Sequence, residues 1–168
     1  MNELFEIQER DGFERQIFFL PLESLETLPS ELRLPTPHFV LFLACDIEQL
    51  SDDEVYNFAE KMILFGTAYM CAWGKGCTRV DDSFDTVCVM REMNEEKQFP
   101  HIMTTWHTNE SLDEALWFAL NVAYPDEKFV NSCASTLVVS VGNEEWNSHL
   151  QARLANLRQL NEDVISVN

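Results

Sequence analysis

A chain of 168 residues with 46% hydrophobic and 24% charged residues can bury one sizeable core, which excludes a disordered segment. Its net charge of −18 comes from acidic residues spread along the whole chain, so nucleic-acid phosphates and anionic lipid headgroups are repelled while basic partners are attracted. No run approaches the roughly 18 to 20 apolar residues that cross a bilayer.

The opening stretch, MNELFEIQER, lacks the basic-then-apolar plan of a secretory leader, and a cytoplasmic location is expected. Cys45, Cys71, Cys77, Cys88 and Cys133 contain no C-x-x-C and are odd in number. That is the pattern of reduced, mostly buried thiols. The whole chain, 1–168, reads as one domain. Residues 1–37 supply an N-terminal strand at 17–20 (IFFL), at an edge or just inside it, and a Pro-containing connection over 28–37. Residues 38–160 form a β-α repeat body.

The apolar run 39–44 (FVLFLA) predicts a strand buried on both faces. Ser51 and Glu54 form a capping box, and Val55, Phe58, Ala59, Met62 and Ile63 follow at helical spacing until Gly66. A second strand spans 68–73 (AYMCAW). After Gly74 and Gly76 a helix starts near Val80 or Asp81 and turns Val80, Phe84, Val87 and Cys88 inward. Phe99 and Pro100 lead into a third strand over 101–106. Ser111 and Glu114 open another capped helix, ended by Pro125, with Leu112, Ala115, Leu116, Ala119, Leu120 and Ala123 on its apolar face. A last buried strand covers 136–141 (TLVVSV). One helix follows, with Trp146, Leu150, Leu154 and Leu157 on one side.

This alternation predicts an α/β fold: a three-layer α/β/α sandwich around a mainly parallel sheet of four to five strands, flavodoxin-like or Rossmann-like. In such sheets ligands bind beyond the carboxyl ends of the strands. Three groups of residues are expected there. Gly74, Lys75, Gly76 and Arg79 form a glycine-rich turn able to hold an anion, although the same glycines suit any tight turn, and the spacing matches neither phosphate-binding loop. Cys77, with His107 as base and Asp46 as orienting acid, is the candidate for thiol catalysis. Trp73, Trp106, Asn109 and Glu110 are candidates for a pocket or interface.

Asp46, Asp81, Asp82 and Glu110 raise a divalent cation, but acids at a helix start serve the helix dipole equally well, and no metal or cofactor is expected. With no specific catalytic motif in so acidic a chain, the leading expectation is a non-catalytic acidic protein-binding module. It would be an inhibitor, an immunity-type partner or a regulatory partner of a basic protein. The alternative is a small enzyme or ligand-binding domain with a strand-end pocket using Cys77, His107 and Asp46. A homodimer is a further option, since symmetric pairs are the usual oligomer.

Overall fold

The computed structural model describes residues 3–8 and 12–167. They form β1 (Phe5–Ile7), β2 (Gln16–Leu22), β3 (His38–Ala44), α1 (Asp52–Phe65), β4 (Thr67–Trp73), α2 (Thr78–Glu95), β5 (Met103–His107), α3 (Leu112–Asn121), β6 (Cys133–Val141), α4 (Glu144–Leu154) and α5 (Leu157–Val167). The strands make one six-stranded sheet in the order β1-β2-β6-β3-β4-β5. Only the β1–β2 pair is antiparallel; the other four pairings are parallel.

The sheet separates two apolar cores. Leu41, Leu43, Met70, Leu137 and Val139 face α1 and α2. Val40, Phe42, Cys71 and Val138 face α3, α4 and α5. Period-2 alternation along each strand divides the apolar residues between the faces, and helices cover both. The chain crosses the sheet in one direction with α1 and α2 on one face. It returns from β5 to β6 with α3 on the other, the arrangement that right-handed crossovers require. The three-layer α/β sandwich is thus the observed fold.

Both capping boxes are present. Ser51 Oγ accepts from the Glu54 N–H at 3.2 Å while the Glu54 carboxylate accepts from the Ser51 N–H at 2.8 Å. Ser111 and Glu114 repeat the motif at 3.1 and 2.8 Å. Other expectations change. The sheet has six strands rather than four or five, because the short β1 folds back on β2 and takes the edge, which puts β2 just inside. The single last helix is two. Asn156 breaks it, its side-chain oxygen accepting from the Gln159 N–H at 3.2 Å as a cap for α5. α2 begins at Thr78, earlier than expected, since the glycine turn winds directly into it. β5 runs over Met103–His107, later than expected, so His107 lies inside the strand. No described helix is long and apolar enough to cross a membrane.

Candidate functional site

The carboxyl ends of β3, β4 and β5 surround a cleft of about 380 Å³. Asp46 reaches it from the loop after β3, and Trp73, Gly74 and Lys75 from the end of β4. His107, Thr108, Asn109 and Glu110 come from the end of β5, and Trp146 closes it from α4. The wall is aromatic: Trp73 and Trp146 meet edge to face with ring centroids 5.1 Å apart. The Trp73 indole N–H donates to the Glu110 carbonyl at 2.9 Å, which ties the β4 and β5 ends together.

His107 is buried beneath this cleft. Its Nδ1 lies 2.8 Å from the Glu110 carboxylate and its Nε2 3.0 Å from the Thr105 hydroxyl, and the ring packs on Phe118 at 4.7 Å. A carboxylate only accepts, so Nδ1 carries a proton, and Thr105 donates to Nε2 when the ring is neutral. Both ring nitrogens therefore have partners inside the protein.

Cys77 lies elsewhere. Its side chain is sealed within the core under α1 and α2, whereas the His107 ring packs against α3 on the other side of the sheet. Burial pushes the Cys77 thiol up, opposed more weakly by a hydrogen bond from the His107 backbone. The contact between these two residues thus runs through the main chain of His107. Asp46 is exposed at the cleft rim, where its carboxylate accepts from the Glu48 N–H at 3.2 Å. The structure does not assemble a thiol–imidazole–carboxylate triad from these residues. Cys77 sits in the turn that starts α2, in the core on the α1–α2 side, and the His107 ring packs on the α3 side, so the sheet lies between them.

The glycine turn owes its sequence to close packing between loops. Gly74 has φ +122°, and a Cβ there would lie 2.1 Å from the Cys45 carbonyl oxygen. Gly76, at φ +74°, packs on the backbone of Glu48. The Ile47 N–H donates to the Lys75 carbonyl at 2.8 Å across the same junction. Arg79 bonds the Ile47 and Leu50 carbonyls at 2.6 and 2.8 Å and the Asp52 carboxylate at 2.8 Å, which clamps the loop after β3. Lys75 is the cation that reaches the cleft; Gly76, Cys77 and Arg79 do not line it.

Trp106 is 46% exposed on the edge strand β5 and lies outside the cleft, while Asn109 and Glu110 line it. Trp146 was legible as packing but not as a cleft wall, because its contact with Trp73, across 73 positions of chain, is absent from the local pattern. Asp81 receives a very short hydrogen bond from Thr104. Among the described residues, no group of three or more His, Cys, Asp and Glu side chains is arranged to hold a metal ion.

No curated protein and no solved structure matches the chain. Residues 17–157, from β2 through the start of α5, match the model of a domain of unknown function, DUF7684. The match spans most of the sheet and its helices, and the chain belongs to this family.

Proposed function

We propose that the protein is a non-catalytic acidic binding module for a basic protein, serving as an inhibitor, an immunity-type partner or a regulator. One observation carries this reading: the reactive groups at the carboxyl edge are already occupied by structural contacts. His107 has a partner on each ring nitrogen, Cys77 is sealed from solvent, and Arg79 is held by two carbonyls and a carboxylate. The charge of −18 remains for long-range attraction. Such a field speeds encounter with a basic partner and loses strength as salt screens it. The reading places the protein in the cytoplasm, where thiols such as those of Cys88 and Cys133 stay reduced.

The test is capture of a partner by the tagged protein from its native lysate at low salt, followed by stopped-flow association with the purified partner. A basic partner whose association rate falls steeply with salt is the expected result. An association rate that does not respond to salt rules out steering by this surface.

The cleft supports a second reading as a ligand site, because Trp73 and Trp146 form an aromatic wall with Lys75, Asp46 and Asn109 beside it. That arrangement suits a small planar molecule with a polar substituent. Quenching of tryptophan fluorescence by planar acids, weakened in Trp146→Leu, would favour it over the interaction reading.

A further inference from the structure

α1 and α2 lie side by side on one face of the sheet, and both run opposite to the strands, so their N-termini share one end of the groove between them. A depression of about 400 Å³ at that end is lined by Asp52, Asp53, Arg79 and Asp82, and it reaches Tyr56. Tyr56 also borders a second depression of about 170 Å³, which continues the groove past Leu64 and Met90. The 14 residues of α1 make it about 21 Å long.

The two ends differ in chemistry. At the first, the charge of Arg79 is already matched by Asp52, while among the described residues no ion pair joins Asp53 or Asp82. Asp82 also lies beyond the first turn of α2, so the helix dipole alone does not account for it. One turn further on, Asp85 has its carboxyl pushed up by burial first and by Asp81 and Asp82 next. At the second end Leu64 is 68% and Met90 42% exposed, with Glu60, Arg91 and Glu95 along the same depression, and Val89 and Met93, outside it on α2, are also exposed. α2 therefore carries apolar residues on its outer side as well as on the inner side formed by Val80, Phe84 and Val87. A surface helix ordinarily keeps its outer side polar, and a cluster of exposed apolar residues marks an interaction surface.

We propose that this groove docks an amphipathic helix of the basic partner. Lys or Arg side chains would lie on Asp53 and Asp82, and apolar side chains on Leu64 and Met90. The proposal rests on the interaction reading above and names its surface. Charge selects this occupant. The acidic end repels lipid headgroups and nucleic acid, and a second copy laid antiparallel across the groove would press its own aspartates onto the methionines. Methionine's flexible thioether also adapts to varied helix faces.

The probe is a synthetic peptide of about 14 to 18 residues, with Leu and Lys at amphipathic helical spacing, enough to span the groove. A scrambled peptide of the same composition is the control. The patterned peptide should bind more tightly than the scrambled one, and Met90→Glu should weaken it roughly tenfold or more, as truncating a central contact does. That direction is diagnostic, because Met90→Glu adds negative charge and would strengthen simple attraction. Asp53→Asn with Asp82→Asn should flatten the salt dependence, and Met103→Glu, an equally accessible position on β5, should leave binding unchanged. Equal binding of the scrambled peptide, binding unchanged or tighter in Met90→Glu, or self-association that Met90→Glu abolishes would overturn the proposal. A basic partner captured from lysate equally by wild type and Met90→Glu also overturns the groove yet leaves the interaction reading standing. Capture of no basic partner by either removes the interaction reading itself.

Discussion

A methyl group added at position 74 would meet the Cys45 carbonyl at 2.1 Å, in a backbone conformation of φ +122° that L-residues rarely adopt. Relief requires the β4–α2 turn to move away from the loop after β3, which the Cys45 N–H to Trp73 carbonyl bond of 3.0 Å resists. Gly74→Ala should therefore destabilise by about 2 kcal/mol or more. At position 76 the nearest atom is 3.0 Å away and φ is +74°, so Gly76→Ala should cost less, about 1 kcal/mol. Urea denaturation of the two variants tests the order; a larger loss for Gly76→Ala contradicts it. Cys77 belongs to the same junction. Sealed from solvent and with its thiol pushed up by burial, it should alkylate in the folded protein more slowly than the half-buried Cys88 and Cys133. Peptide mapping after brief labelling reads this, and preferential labelling of Cys77 would restore the thiol chemistry read from the sequence.

At the scale of elements, one guanidinium, that of Arg153, fastens three helices. Asp113 of α3 accepts from Arg153 of α4 at 2.7 and 3.1 Å and lies 2.6 Å from His149, while Arg153 also reaches Asp163 of α5 at 2.8 Å. Burial pushes the Asp113 carboxyl up, but the hydrogen bonds from Arg153 and His149 and their charges outweigh it, and the net displacement is downward. A carboxyl depressed in the folded state stabilises above its unfolded pKa, and that stabilisation is lost as pH falls through the folded value. Arg153→Ala should destabilise by about 1 to 2 kcal/mol at neutral pH, as expected for a bidentate but partly exposed pair. The gap from wild type should begin to narrow as pH falls through the ordinary carboxyl range near about 4 and should close only at lower pH, once the depressed Asp113 of the wild type is protonated too. A gap of constant size across that range would show that Arg153 acts through packing alone. This cluster was not legible in the sequence, because Asp113 and Arg153 are brought together by the packing of α3 and α4. The capping boxes at Ser51 and Ser111 were legible because each closes within four residues. The break at Asn156 was missed: Leu154 and Leu157 keep helical spacing across it, and the cap rests on one side-chain oxygen. For the candidate site, the strand-end residues Asp46, Trp73, Lys75, Asn109 and Glu110 were found because α/β sheets place their loops there. The Cys77 side chain and the His107 ring lie in the cores on opposite sides of the sheet, and the side each takes is not written in the local sequence.

Across the whole molecule the excess of acid acts on folding and on binding with opposite signs. With 29 acidic and 11 basic residues, compaction brings like charges together, and the folded state is opposed by its own field. Ion pairs relieve this only locally, at Asp113 and Asp52 for example. Adding sodium chloride shortens the screening length from about 30 Å at 0.01 M to about 10 Å at 0.1 M, less than the separation of most surface charges. Repulsion across the molecule is then screened, while the contacts at Asp113, only a few ångströms long and partly buried, are screened far less. The melting temperature should rise as sodium chloride increases over this range, and association with a basic partner should slow over the same range. Chloride is the appropriate anion because sulfate strengthens apolar burial by itself. A melting temperature that falls with salt would mean that attraction between neighbouring charges outweighs the net repulsion. The acidic surface would then be balanced within the fold, and the long-range field on which the interaction reading depends would be weaker than the charge of −18 implies.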